Sequence, residues 1–216
     1  MFNLFNNILI LLGEVIAFVH LDSLLKLASS VSKYIYTGSI KRKFASFGKR
    51  SLIIPSLLSF RGGKYISIGN NTIIGKSVQL TAWDKYREKY YTPSIIIGSN
   101  CNIRAYSHIT AINEIIIGDN LLTGTNVLIS DNSHGILSES HVKIPPSERD
   151  LNSKGKIQIG NNVWVGNNVI ILANVKIGDG VIIGANSVVT SDIPAYSVAV
   201  GVPAKIVKQI KVNENE

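Results

Sequence analysis

The most constraining feature of this 216-residue chain is an aliphatic or small side chain that returns every six residues. Over 159–195 the repeating positions are Ile159, Val165, Ile171, Ile177, Ile183, Val189 and Ala195. The same spacing occurs earlier at Ile68, Ile74 and Leu80, at Ile97, Ile103 and Ile109, and at Ile117, Thr123 and Ile129. A period of six fits neither a helix, with about 3.6 residues per turn, nor a strand that alternates at every second residue.

A period of six suits a short strand followed by a turn, with the repeating residue inward and Gly, Asn or Asp at the corner. Stacked units of this kind bury a continuous aliphatic column that no single unit could bury alone. An ordinary β-sandwich would show turn residues about every 8 to 12 residues, and this pattern does not. The sequence therefore predicts an all-β solenoid over residues 61–204, between an N-terminal segment (1–60) and a basic tail (205–216).

Two segments interrupt the repeat. Residues 82–93 are charged and rich in tyrosine, and residues 134–156 form a longer excursion that begins at His134. Loops of this length inside a compact repeat usually carry function or lack order. An imidazole at the end of a hexapeptide can take a proton from an attacking hydroxyl or amine. A lone surface histidine more often has no such role, so its position alone is weak support.

Composition narrows the class of protein. The formal charge of +8, without a long Lys/Arg block, favours small anionic partners or a membrane surface over nucleic acid. The single cysteine, Cys101, leaves no intrachain disulfide and no cysteine cluster for a metal, which fits a reducing cytosol.

The N-terminal segment is apolar. Residues 8–21 are shorter than the roughly 20 apolar residues that a membrane span needs, and they contain Glu14. No basic region precedes them, which argues against a secretory signal. With residues 22–44 they predict one or two helices. These helices either cap the core or lie as an amphipathic segment on the inner membrane surface, and the cap is favoured because helical hydrophobic stripes usually face protein.

Several motifs follow one another in a fixed order between residues 117 and 208. They are SDNSHG with its histidine at the end of a coil, the loop after it, IGNNVWVG, IGDGVIIGANSVVTSDIP and the closing GVPAKIVK. Together they resemble the hexapeptide-repeat acyltransferases, particularly the sugar O-acetyltransferases of the maltose, galactoside and polysaccharide-modifying kind. The resemblance implies a left-handed parallel β-helix in which three hexapeptides form one triangular coil.

The resemblance also implies a site. His134 matches the family's general base for direct transfer from acetyl-coenzyme A (acetyl-CoA), which lies in a groove between two subunits of a homotrimer. A backbone N–H near the corner would stabilise the oxyanion. Cys101 has no evident base partner, so no covalent acetyl-enzyme is expected, and no metal is implied. The positions that match donor contacts are Gly166, Asn167, Gly184, Ala185, Thr190, Lys205 and Lys208, the two lysines toward the nucleotide phosphates. The alternative is that Ala185 and Thr190 are ordinary turn residues and the lysines are merely solvated.

The residues around the acceptor depart from the family pattern. Polysaccharide-modifying members often read Asp-His-x-His at this corner, where this chain has residues 131–134 as Asp-Asn-Ser-His. Tyr106 stands nearest to the acceptor-binding Asn of many sugar acetyltransferases, and His108 follows it. His108 either lines the acceptor pocket or is a coil residue without a role in binding. Asp131 either orients the imidazole or leaves that to a backbone carbonyl.

The position of Trp164 before a corner has two interpretations, and the resemblance also implies a function. Trp164 either flanks the thioester or packs in the core. The resemblance implies an O-acetyltransferase that acts on a sugar, nucleotide-linked or lipid-linked, in surface polysaccharide biosynthesis, cytoplasmic or peripheral to the inner membrane. N-acetylation of an amino sugar or another small amine and a non-catalytic scaffold are the alternatives. The γ-class carbonic anhydrases share the fold, but His108, His134 and His141 lack the spacing of their zinc ligands.

Overall fold

Short parallel strands in this computed structural model form three sheets that wrap around one axis. The structure describes residues 2–18, 21–136 and 138–210. Each coil adds one strand to each sheet, and the pairing from one coil to the next is parallel. Where no loop intervenes, equivalent positions such as Asn168 and Asn186 are 18 residues apart, which is three hexapeptides. The predicted parallel β-helix of hexapeptide repeats is therefore confirmed.

The three sheets are named in the order in which the chain meets them. The first sheet contains Ser46–Phe47, Ile66–Ile68, Ser94–Ile97, Glu114–Ile117, Ile157–Ile159 and Val175–Ile177. The second contains Leu52–Ile53, Ile73–Ile74, Asn102–Ile103, Leu122–Thr123, Trp164–Val165, Ile182–Ile183, Ser197–Gly201 and Ala204–Gln209. The third contains Ser59–Arg61, Gln79–Ala82, His108–Ala111, Leu128–Ser130, Ile170–Leu172 and Val188–Val189.

The core is the predicted aliphatic column. From Ile159 to Val189 each repeating side chain is at most 3% exposed, and the residues four positions later, such as Val163 and Val169, are equally buried. Each fully buried aliphatic side chain of this size contributes about 1.5–3 kcal/mol. The inward position predicted at Ala195 is wrong, because Ala195 is only half-buried. Ile193, which bridges to Ile177, closes the column instead.

The corners between sheets are held by asparagines and glycines. Asn126, Asn168 and Asn186 have left-handed backbone conformations. The Nδ2 of Asn126 donates to the Oδ1 of Asn168, and the Nδ2 of Asn168 donates to the Oδ1 of Asn186, both at 3.0 Å. Asparagine tolerates this conformation better than most residues, and its amide replaces the missing strand hydrogen bonds. At Gly118 a Cβ would lie 2.8 Å from the backbone of Gly160, so the coils could not stack at this spacing with a larger residue.

Both interruptions leave the solenoid after a strand of the third sheet. The first contains a hairpin of Lys85–Tyr86 with Lys89–Tyr90. The second contains the helix Glu139–Val142, the 3-10 turn Pro146–Glu148, and a ribbon in which Ser133–His134 pairs antiparallel with Leu151–Asn152. Leu80 and Ile129 are in register with Ile109 between them, so the two loops emerge at the same corner, two coils apart.

Two helices precede the solenoid. Helix α1 spans Phe2–Phe18 and helix α2 spans Leu21–Ile40, followed by a 3-10 turn at Lys41–Lys43. The end of α2 is tied to the first coil: Ile53 N–H donates to Thr37 Oγ1 at 2.9 Å, and Tyr36 packs against the core. Among the described residues, no helix combines the length and the hydropathy of a bilayer-spanning segment.

The segment predicted as a basic tail begins with a strand. Ala204–Gln209 pairs antiparallel with Ser197–Gly201, which places Lys205 opposite Val200 and Lys208 opposite Val198. The 3-10 turn Gly63–Tyr65 lies at the other end of the solenoid. The remainder of the predicted tail, 211–216, lies outside the described residues.

Candidate active site

His134 stands at the corner between the third and first sheets. It is exposed and lies on the two-residue strand that pairs with Leu151–Asn152. Gly135 follows with φ +79, and a Cβ there would lie 2.8 Å from the Arg149 side chain, so only glycine fits this bend. The chain therefore turns sharply after His134 and leaves its imidazole projecting from the ribbon.

The first loop reaches over to this histidine. The rings of Tyr86 and His134 meet edge to face, with 5.5 Å between centroids and 71° between planes. Tyr86 also contacts Trp83 at 5.9 Å, and Arg61 stacks on Trp83 at 4.2 Å. Edge-to-face ring contacts are favourable and directional. The imidazole is thus held by a chain of ring contacts that begins on the solenoid.

Hydrogen bonds join the two loops. Tyr91 Oη donates to the Leu151 carbonyl oxygen at 2.9 Å, and Tyr86 Oη donates to the Ser147 carbonyl oxygen at 3.4 Å. The two interruptions that the sequence separates by a whole coil therefore build one structure. Tyr86 is the site residue that the sequence pattern did not single out.

The Asp131 side chain bonds the backbone of the preceding coil and its neighbour Asn132. Its side chain is 0% exposed, and its two oxygens accept from the backbone N–H groups of Ile112 and Asn113, both at 2.9 Å. Burial raises the pKa of the Asp131 carboxyl, and these hydrogen bonds act in the opposite direction. Asn132 Nδ2 adds a further bond at 3.2 Å. Asp131 therefore secures the tight corner of the preceding coil.

A cavity of about 310 Å³ opens beside the histidine ribbon. Ser133 and Asn152 line it from the ribbon, and Leu172 and Thr190 line it from the next two coils. Thr190, predicted to contact the acyl donor, thus lies on the same corner as His134. A larger cavity of about 680 Å³ lies on the first sheet beside Lys176 and Asp179, and no residue of the histidine loop lines it.

The other predicted donor contacts lie on a different corner. Gly166, Asn167, Gly184 and Ala185 follow strands of the second sheet, so they line the corner between the second and third sheets. Asn167 Oδ1 accepts from Thr125 N–H at 2.8 Å, and this bond fixes its amide in the corner ladder. One chain therefore does not bring these four residues together with His134.

The acceptor candidates are also separated. Tyr106 takes a left-handed conformation, φ 63, in the asparagine corner and is 57% exposed. His108 lies half-buried on the third sheet with Nε2 3.1 Å from Thr81 Oγ1, and burial lowers the pKa of this imidazole. Trp164 is 54% exposed on the outer face of the second sheet, so the alternative of core packing is wrong.

Two further titratable residues, Cys101 and His141, have contacts that do not involve His134. Cys101 is buried in the solenoid, and burial raises the pKa of its thiol, which disfavours the nucleophilic thiolate. His141 Nδ1 accepts from the N–H of Ile136 at 3.3 Å and so helps to hold the second loop. Within residues 2–18, 21–136 and 138–210, no group of three or more His, Cys, Asp or Glu residues is placed to hold a metal ion.

Removing the Tyr86 ring is expected to impair the site without unfolding the protein. If His134 is the general base, as its motif predicts, we expect Tyr86→Ala to lower kcat by up to about 10²-fold, because the displaced imidazole would lose its alignment with the reacting atoms. Tyr86→Phe keeps the ring contact and should retain most of the activity. Steady-state kinetics should show the loss in kcat with a smaller change in the donor KM. Equal losses in both variants would show that the hydroxyl, and not the ring, is what matters.

Comparison with known proteins places this geometry in a family. The family "Bacterial transferase hexapeptide (six repeats)" matches residues 156–191. The putative lipopolysaccharide biosynthesis O-acetyl transferase WbbJ of Escherichia coli is 37% identical over 167 residues, which are 76% of this chain and 81% of that protein. Galactoside O-acetyltransferase of Escherichia coli is 32% identical over 176 residues, which are 79% of this chain and 66% of that protein.

Solved structures agree with these matches. AntD, an N-acyltransferase from Bacillus cereus in complex with dTDP and 3-hydroxybutyryl-CoA, has a TM-score of 0.67 at 27% identity, covering 83% of this chain and 90% of its own. A galactoside acetyltransferase in complex with coenzyme A has a TM-score of 0.52 at 30% identity, covering 80% and 68%. The chain therefore belongs to the hexapeptide-repeat acetyltransferases and is an acyltransferase built on their left-handed parallel β-helix.

Proposed function

We propose that this protein is an acetyl-CoA-dependent O-acetyltransferase that acts on a sugar hydroxyl in the biosynthesis of a surface polysaccharide. The observation that carries the proposal is the exposed His134 imidazole, held against Tyr86 on the ribbon that also borders the cavity lined by Thr190. An acceptor hydroxyl bound against this imidazole would have a basic side chain next to it. The similarity of this chain to two O-acetyltransferases, WbbJ and galactoside O-acetyltransferase, favours an oxygen acceptor.

His134 acts as the general base. Its unprotonated ring nitrogen accepts the proton of the acceptor hydroxyl while the oxygen bonds to the acetyl carbon. The carbon–sulfur bond breaks, and the departing thiolate takes the proton from the imidazolium. Acetyl-CoA supplies the acetyl group as an activated thioester. Because His134 is exposed and Cys101 is buried, transfer is direct within a ternary complex.

The oxyanion needs a backbone donor near the corner. Three N–H groups there already have acceptors: Asp131 donates to the Thr110 carbonyl oxygen, Asn132 to Ser130 Oγ, and Gly135 to the Asp150 carbonyl oxygen. The donor in this mechanism therefore lies outside these three groups.

The division of donor contacts between two corners favours a homotrimer. In such an assembly, the corner with His134 and Thr190 from one subunit meets the corner with Gly166 and Ala185 from its neighbour. The exposed small residues at the second corner would let the pantetheine chain approach the strand edges. Lys205 and Lys208, exposed on the C-terminal strand, would meet the nucleotide phosphates.

An apolar row on the second sheet also supports the trimer. Ile73, Leu122 and Trp164 are in register through Asn102 and are 37%, 43% and 54% exposed. Aligned apolar side chains of this size on a sheet face are typical of a subunit interface. In this proposal Trp164 packs against a neighbouring subunit near the donor groove.

His108 and Tyr106 are the proposed acceptor contacts. Because burial lowers the pKa of His108, its ring favours the neutral form, in which one nitrogen donates and the other accepts. Its Nε2 contacts Thr81, so Nδ1 is the nitrogen that would meet a sugar hydroxyl. Tyr106 offers an exposed ring and hydroxyl, a combination suited to one face of a sugar.

N-acetylation of a nucleotide-linked amino sugar is the second candidate function. It is favoured by the likeness to AntD, an N-acyltransferase solved with dTDP and, as a variant, with dTDP-4-amino-4,6-dideoxyglucose. A general base at His134 would serve an amine as well as a hydroxyl. In either case, we place the enzyme in the cytoplasm or at the cytoplasmic face of the inner membrane.

An acceptor screen tests the proposal. Acetyl-CoA consumption should rise above hydrolysis with at least one simple sugar, nucleotide sugar or lipid-linked oligosaccharide. The product should then lose its acetyl group in alkaline hydroxylamine, which cleaves oxygen esters and leaves amides intact. A hydroxylamine-stable product would replace O-acetylation by N-acetylation. If acetyl-CoA consumption rises with none of these acceptors, both O-acetylation and N-acetylation of a sugar are contradicted.

A further inference from the structure

The N-terminal helices carry an apolar surface that the solenoid does not use. In α1, nine large apolar side chains from Leu4 to Ile16 are between 41% and 68% exposed. Asn6 and Asn7 are adjacent, and Glu14 follows them by eight and seven residues, so all three fall on one polar side of this helix. The remainder of its circumference is apolar, which is the pattern of a helix that lies in an apolar–polar boundary.

Helix α2 continues this surface. Leu27, Val31, Tyr34 and Ile35 follow the spacing i, i+4, i+7, i+8, and they are 60%, 47%, 60% and 68% exposed. The side of α2 that contacts the first coil carries Thr37 instead, which is buried and bonded to Ile53. The apolar face of α2 therefore points away from the β-helix, and the fold does not need it.

The net charge of the protein comes from the N-terminal part of the chain, and part of it lies beside this surface. Residues 1–83 contain ten Lys or Arg residues against two acidic residues, whereas residues 84–216 contain twelve of each. The whole formal charge of +8 therefore belongs to the first 83 residues. Lys41, Lys49 and Arg50 gather where α2 meets the first coil, around a cleft of about 540 Å³, and Arg42 and Lys43 are adjacent.

We propose that α1 and the outer face of α2 bind the surface of a membrane that contains anionic lipids. The apolar side chains would enter the boundary between headgroups and acyl chains, and the basic residues at the foot of α2 would contact lipid phosphates. A second copy of this chain fits this surface less well than a membrane, because pairing the two equal faces would bring their basic residues close together. The inference does not rest on the proposed acceptor.

Vesicle flotation of the full chain tests this proposal. We expect the protein to float with vesicles of phosphatidylglycerol and phosphatidylcholine and not with phosphatidylcholine alone, and to be released as salt rises. The variant Lys41→Gln/Arg42→Gln/Lys43→Gln should lower the partition coefficient by about 10²-fold. The variant Leu27→Gln/Val31→Gln/Ile35→Gln should lower it by at least about tenfold.

Matched changes elsewhere control for exposure and charge. Ile96→Gln, at a side chain 41% exposed on the first sheet, and Lys143→Gln, in the second loop, should leave flotation unchanged. Thermal unfolding and acetyl transfer to a water-soluble acceptor should be unaltered in every variant, which separates this test from that of the catalytic proposal. No flotation of the wild type, or equal flotation of all variants, would overturn the inference. Loss of the oligomer in the α2 variant would assign the surface to subunit contact.

Discussion

Replacing His134 by alanine is expected to lower kcat for acetyl transfer by about 10²–10⁴-fold, the usual contribution of a general base. His134→Gln should be equally impaired, because an amide has similar polarity but does not accept a proton at neutral pH. The KM for acetyl-CoA should change little, since the proposed donor contacts lie on other residues. Release of free coenzyme A, followed with a thiol reagent, gives both constants.

His141→Ala is the matched control for that experiment. It removes a histidine from the same loop, and its ring contacts backbone rather than the cavity. This variant should keep near wild-type kcat, and His134→Ala should unfold at the wild-type temperature because His134 is exposed. Wild-type turnover by His134→Ala would remove the general base from the mechanism.

The second large effect is expected at Asp131. Asp131→Ala would leave the backbone N–H groups of Ile112 and Asn113 without their acceptors, and the buried one, on Ile112, costs about 1–3 kcal/mol when unpaired. Because the Asn113 N–H is part-buried, it adds less, and we expect the free energy of unfolding to fall by about 1–4 kcal/mol, measured by urea denaturation. The folded fraction should retain acetyl transfer if the corner persists.

Ser133→Ala tests whether that loss is specific. Ser133 is exposed and lies two residues away, and its hydroxyl donates to the nearby Gly135 carbonyl oxygen at 3.2 Å. It should change the free energy of unfolding by less than about 0.5 kcal/mol. Full stability of Asp131→Ala, combined with a large loss of kcat, would return Asp131 to the reaction itself.

The period of six predicted most of the fold. It located the inward side chains from Ile68 to Val189, because in a solenoid each buried position repeats with the coil. It failed at Ala195, where the last coil ends and Ile193 closes the column instead. The period does not predict which side chain closes the last coil, since no further coil packs on it.

The site was predicted less completely. His134 followed from its motif, but Tyr86 did not, because the contact depends on two loops separated by a whole coil. The position of each hexapeptide within its coil could have indicated this contact. Leu80 and Ile129 both precede a loop and lie in one sheet, so the two loops emerge at one corner. The hydrogen bonds of Asp131 could not be predicted either: it is close to His134 along the chain, but its side chain turns inward toward the preceding coil, a contact that depends on how the coils stack.

One quenched-reaction measurement tests the central claim, direct acetyl transfer assisted by His134. Protein, acetyl-CoA and an accepted sugar are mixed, stopped at intervals within one turnover and weighed by mass spectrometry. We predict that the wild-type protein yields acetylated sugar with no acetylated protein on the way, and that His134→Ala yields almost none on the same time scale. Acetylated protein that forms and decays ahead of the sugar product, or product formation by His134→Ala at the wild-type rate, would contradict the claim.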